Sequence, residues 1–197
     1  AEHQRLLTLA IERTRYAASA PGDGWEYGTP TAYLRDMVER WKSFDWREVE
    51  ARINAHPNFT TEVDGQTIHF VHVRSEVPGA TALLLAHTYP GSFLEFLPLV
   101  APLTDAGFDL VIPSLPGHGF SAKPAAAGWD PPRIARAWTA LMKRLGYSRF
   151  VAQGGDWGAA VTQAMGIQAP AGLLGIHSNM PGTAPAVDWT RPQTWDF

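Results

Sequence analysis

The stretch Val151-Ala152-Gln153-Gly154-Gly155-Asp156-Trp157-Gly158-Ala159-Ala160 decides how this chain is read. Its apolar opening has strand character. A glycine pair and then Gly158 bracket one acid, and Ala160, Val161, Ala164 and Met165 follow at helical spacing. That places Asp156 on a sharp strand-to-helix turn, near the positive end of a helix dipole. Taken alone, the decapeptide favours an aspartate that merely caps the helix. The residues upstream reverse that preference.

Working outward, the apolar runs Ala82–Ala86, Leu110–Ile112, Phe150–Ala152 and Leu173–Ile176 are continuous, as expected of strands covered on both faces. Helical segments separate them. One runs from about Leu94 to Thr104. A second starts at Asp130-Pro131, a cap followed by proline, and stops at Gly146. A third runs from Trp157 to about Gln168, where Pro170 bars its continuation. Strand–helix alternation predicts a mostly parallel sheet with right-handed crossovers and helices on both faces, an α/β fold. Before the first of these strands, Phe59–Val63 and Thr67–Val73 flank Asp64-Gly65, a hairpin signal. His69 and His72 point to opposite faces of one strand, which argues against a shared metal. Further upstream the pattern is helical: residues 2–18, a helix starting at Thr29-Pro30 with Thr29 as cap, and one starting at Asp45-Trp46-Arg47-Glu48 that Pro57 ends.

The chain has 197 residues, 45% of them hydrophobic, enough for one domain with a sizeable core. A net charge of -3 argues against nucleic acid as a partner. The absence of cysteine excludes a disulfide scaffold and a thiolate nucleophile, and it fits a reducing compartment. The longest apolar runs are strand-sized, and the charged N-terminus lacks a signal-peptide core. The expectation is a cytoplasmic protein with no membrane anchor. Eight tryptophans suit either an ordinary core or an aromatic-lined cavity.

Three ordered pieces follow the buried strands: His87-Thr88-Tyr89-Pro90-Gly91-Ser92-Phe93, Pro113-Ser114-Leu115-Pro116-Gly117-His118-Gly119-Phe120-Ser121, and Gly155-Asp156-Trp157-Gly158. Together they resemble the epoxide hydrolases of the α/β-hydrolase superfamily. Trp25-Glu26-Tyr27-Gly28-Thr29, Asp45-Trp46-Arg47-Glu48 and Asp64–Phe70 resemble the N-terminal extension of the microsomal and juvenile-hormone branch. The resemblance implies a helical extension over residues 1–56, the N-terminal part of an α/β-hydrolase core over 57–180, and the start of a lid over 181–197. It implies that Asp156 is the nucleophile, opening an epoxide by backside attack to leave an ester that water hydrolyses to a vicinal diol. It assigns the oxyanion hole to the backbone N–H groups of Tyr89 and Trp157. It places His87, Pro90 and Trp157 at the substrate pocket and requires no cofactor and no metal. Thr88 departs from the family, which has glycine there. If that position needs a positive φ, threonine is strained and the aim of the Tyr89 amide is affected. His118 stands where the family often has tyrosine and is expected to pack near the site.

A complete enzyme of this kind also needs a histidine base, its acid partner and tyrosines that protonate the opening oxygen. Only His177 follows Asp156, on the very next strand, and it reads as a core or pocket-edge residue. Asp188 and Asp196 come where a lid normally begins. The expected partners are therefore a small epoxide and the remainder of the same polypeptide, or a complementary chain, with a homo-oligomer also open. Residues 1–197 alone are expected to be inactive and prone to aggregate through an exposed sheet edge. Two other functions compete: a haloalkane dehalogenase, which shares the Asp nucleophile and the adjacent Trp, and a non-catalytic hydrolase-like module. A serine esterase is not expected, since no Gly-x-Ser-x-Gly occurs.

Overall fold

The computed structural model describes residues 2–22 and 24–182. The chain divides into two compact units, Ala1–Arg52 and Ile53–Phe197. The first contains α1 (Glu2–Glu12), α2 (Thr31–Lys42) and most of α3 (Trp46–Asn54). α1 is shorter than the expected 2–18, because its apolar stripe ends at Ile11, its one buried residue. Thr29 is not the cap of α2. The helix starts one residue later, behind Pro30, with no side-chain cap. Asp45 does serve α3, its Oδ1 accepting from the Arg47 N–H at 3.0 Å.

The second unit is built on one sheet. Its strands are β1 (Asn58–Val63), β2 (Gln66–Val73), β3 (Thr81–Ala86), β4 (Phe108–Pro113), β5 (Phe150–Gly154) and β6 (Leu173–Ser178), in the order β1-β2-β4-β3-β5-β6. β4, β3, β5 and β6 run parallel, and the β1–β2 hairpin joins antiparallel through β2 and β4. The hairpin turns at Asp64 (φ 52°) and Gly65 (φ 72°), the paired left-handed residues that a two-residue loop demands.

Alternation along the strands builds a core on each face. Ala82, Leu84 and Ala86 point toward α5 (Pro131–Arg144) and α6 (Trp157–Gln168), packing with Ile134, Trp138, Met142, Val161 and Met165. Leu83 and Leu85 point the other way, toward Phe93, Phe96 and Val100. The latter belong to the segment expected to be one helix over 94–104. It is instead a 3-10 helix, Phe93–Leu99, running into the short α4 (Val100–Asp105). Pro98 sits inside that 3-10 stretch, where it has no N–H to give an α-helical ladder. β6 is the exposed end of the sheet: among the described residues it pairs with β5 alone, and Leu174 and Ile176 are 49% and 42% exposed. The expected lid lies, from residue 183 on, outside the described residues, as do Asp188 and Asp196.

β3 leads to β4 on one side, and α5 then carries the chain across β3 to β5 on the other. Loops leaving adjacent parallel strands at such a reversal diverge and open a crevice at the strands' carboxyl ends. β3 and β5 are in register from Ala82↔Phe150 to Ala86↔Gly154. The residues just after Ala86 and just after Gly154 therefore meet at that crevice.

Candidate active site

Asp156 stands between β5 and α6 with φ 52° and ψ -121°, a backbone conformation that side chains rarely adopt. The turn closes this tightly because its flanks are glycine. A Cβ on Gly158 would lie 2.0 Å from the Ala86 carbonyl oxygen, and one on Gly154 would lie 2.1 Å from that of Gly158. α6 thus starts in backbone contact with the end of β3. Asp156 occupies the N-cap position, yet its side chain makes no capping hydrogen bond. Its Oδ1 instead accepts from the N–H of Tyr89, 67 residues away in sequence, at 2.8 Å. Asp156 as a whole residue is half-buried. The Tyr89 N–H, and after it the Trp157 N–H, hold its pKa below the usual carboxylate value. It is ionised at neutral pH.

The Tyr89 N–H belongs to a peptide fixed from its other side. The Thr88 carbonyl accepts from His87 Nδ1–H at 2.8 Å, and His87 Nε2 accepts from the Leu115 N–H at 2.9 Å. Those two bonds define the tautomer: neutral, with its proton on Nδ1. Burial lowers the His87 pKa and keeps the ring in that form, although the Thr88 carbonyl and Glu95 oppose the shift. His87 is 0% exposed and so cannot line a substrate pocket. The assignment of His87 to the pocket is corrected: the ring is a buried strut between the loop after β3 and the loop after β4.

Pro90 is exposed and follows a cis peptide bond from Tyr89. Tyr89 and Trp157 are 56% and 46% exposed. The His118 ring packs edge-on against those of Tyr89 (5.5 Å) and His87 (5.9 Å). Thr88 is not among the residues with positive φ, so the strain anticipated there does not arise. His177 is exposed on β6 rather than part of the core, and among the described residues β6 pairs with β5 alone. Among the described residues no three His, Cys, Asp or Glu side chains cluster as metal ligands. Sequence reasoning did not pick out Glu95, which accepts hydrogen bonds from the hydroxyl and N–H of Thr88 and from the Ser92 N–H. The signal was present as Ser92-x-x-Glu95, a capping box that the structure forms.

Two known families match the chain. Residues 81–194 match the family described as alpha/beta hydrolase fold. The chain belongs to that family. Residues 1–96 of this α/β hydrolase also match the family described as epoxide hydrolase N terminus. A Stigmatella aurantiaca protein, named as a candidate epoxide hydrolase, is 48% identical over 185 residues, covering 89% of this chain and 42% of that protein. Among solved structures, the Aspergillus niger epoxide hydrolase superposes with a TM-score of 0.84 at 34% identity, over 95% of this chain and 51% of that one. The Bombyx mori juvenile hormone epoxide hydrolase gives a TM-score of 0.83 at 34% identity, over 91% and 50%. The hydrolase chain thus spans about half the length of these structures, and less of the Stigmatella protein.

Proposed function

We propose that this chain carries the nucleophile and oxyanion hole of an epoxide hydrolase. One observation supports the reading most directly. The Asp156 carboxylate declines to cap its own helix and takes the Tyr89 amide instead. With Oδ1 held there, Oδ2 attacks an epoxide carbon. The ring C–O bond breaks and the ring oxygen takes up a proton, leaving a hydroxyalkyl ester on Asp156. Water then adds to the ester carbon. Negative charge develops on Oδ1, against the Tyr89 N–H from which it already accepts, with the Trp157 N–H as the proposed second donor. Losing one such donor typically costs about 2.7–4 kcal/mol of transition-state stabilisation. Collapse expels the diol and regenerates the carboxylate with one oxygen from water. The proton donor to the ring oxygen and the base that activates water are proposed to come from outside residues 2–182, on the same polypeptide or a complementary chain.

The match of residues 1–96 to the epoxide hydrolase N terminus favours an epoxide over a haloalkane. The exposed rings of Tyr89 and Trp157 suit an apolar or aryl epoxide. A single turnover of the full-length protein in heavy-oxygen water tests the mechanism. The first diol is expected to be unlabelled, with the label in Asp156. Label in that first diol would mean direct attack by water and end the proposal.

A further inference from the structure

We infer that Glu95 is a positioning residue: through Thr88, Ser92 and the space left by Gly91, it aims the Tyr89 amide at Asp156. The inference rests on the oxyanion-hole reading above and assigns what holds that hole in place.

Four observations carry it. Glu95 Oε1 accepts from the Thr88 hydroxyl at 2.7 Å and from the Ser92 N–H at 3.1 Å, while Oε2 faces the Thr88 N–H at 3.3 Å. The carboxylate is presented by the first turn of the Phe93–Leu99 helix, where Ser92 and Glu95 form a capping box. Thr88 is therefore held through its N–H and hydroxyl by Glu95, and through its carbonyl by His87. Little freedom remains for the next N–H, that of Tyr89, which lands on Asp156 at 2.8 Å. Finally, a Cβ on Gly91 would lie 1.5 Å from Glu95 Oε1 and 2.5 Å from Thr88 Oγ1. Thr88, Gly91 and Glu95 thus specify one another. Where the glycine of the resembled motif has no side chain, this chain has a hydroxyl that finds a partner.

A plain capping box would predict something different. Removing Glu95 would weaken the 3-10 helix and leave Asp156 untouched. The variants separate the two. Thr88→Val removes the hydroxyl at constant shape and charge, and Thr88→Ser restores it. Gly91→Ala displaces the flexible end of Glu95 while keeping its charge, and Glu95→Gln removes the charge. Rapid-quench single turnovers of an aryl epoxide by the full-length protein give the rates of ester formation and ester hydrolysis. Thr88→Val, Gly91→Ala and Glu95→Gln are expected to slow hydrolysis by about 10-fold or more, with ester formation less affected, because the oxyanion forms in the second step. Thr88→Ser is expected to stay within about twofold of the parent.

Carbon NMR titration of the Asp156 carboxyl provides a second readout. Losing the aimed amide raises its pKa, whereas merely deleting the negative charge of Glu95 lowers it. A rise in all three disruptive variants supports the inference. Folded variants with parental hydrolysis rates and no rise, or a fall in Glu95→Gln, would overturn it. Should the parent form no ester, the epoxide reading fails on its own, and the titration alone then decides the role of Glu95.

Discussion

At Asp156 the backbone and the side chain make opposite demands. The φ of 52° is one that glycine would occupy more easily, yet a carboxylate stands there. Gly154 and Gly158 make that conformation possible by leaving no atoms where the strand end and the helix start touch. Gly158→Ala puts a methyl against the Ala86 carbonyl, a backbone atom that cannot swing aside. It should cost at least about 2 kcal/mol in urea unfolding and move the Asp156 carboxylate with it. Asp156→Asn should behave oppositely. The amide oxygen still accepts from Tyr89, so the melting temperature should hold. Ester formation, followed by the mass of the Asp156 peptide after incubation with an aryl epoxide, should drop on the order of 10³-fold or more. Equal labelling of the two proteins would exclude Asp156 as nucleophile. The position was legible because small-x-acid-x-small is a local pattern. The buried strut of His87 was not, because its partners include Leu115, 28 residues on, and no spacing rule encodes that bond.

Two helices show how far a local signal reaches at the scale of the element. Asp130-Pro131 and Thr29-Pro30 look alike in sequence, a capping residue before proline. Asp130 accepts from the Arg133 N–H at 2.9 Å and caps α5. Thr29 stands one place too early, and Pro30 takes the cap position with nothing to offer. Asp130→Ala should therefore cost about 1 kcal/mol in chemical denaturation, and Thr29→Ala close to nothing. Equal losses would mean that α2 and α5 start in the same way. The strands of the parallel sheet were read directly from the chain because continuous apolar runs have few other uses in a domain of this size. The apolar spacing of the Leu94–Thr104 segment suits either one α-helix or a 3-10 helix followed by a short α-helix. Pro98 and the Ser92–Glu95 box carried the information that separates them.

Across the Ile53–Phe197 unit, three histidines far apart in sequence share one electrostatic condition. His69 is 2% exposed. Its Nδ1 accepts from the Ser114 hydroxyl and its Nε2–H donates to Asn58 Oδ1, each at 2.9 Å. The direction of the second bond follows from Asn58 Nδ2, which is committed to the Ile53 and His56 carbonyls. His72 donates from Nε2 to the Tyr147 hydroxyl at 2.8 Å, and that hydroxyl donates onward to Asp109 at 3.0 Å. His87 is the strut between the loops after β3 and β4. Burial lowers all three pKa values, that of His69 to about 4. No sequence pattern announced this, since a histidine in a strand reads the same whether its partners are protein or water. The sign follows from linkage. A histidine whose folded pKa lies below its unfolded value binds fewer protons in the native state, so acid favours unfolding. The stability that His69 supports is complete above about pH 6.5 and is lost as the pH falls toward 4, and His72 and His87 shift stability in the same direction. For His69 the loss approaches roughly 3 kcal/mol at the acid end of that window. Urea unfolding at pH 7 and pH 4.5 should show the drop. His69→Gln, although weaker at neutral pH, should narrow the difference between the two pH values. An unchanged difference in that variant would mean that His69 is not buried neutral, and that acid unfolds the unit through its other groups.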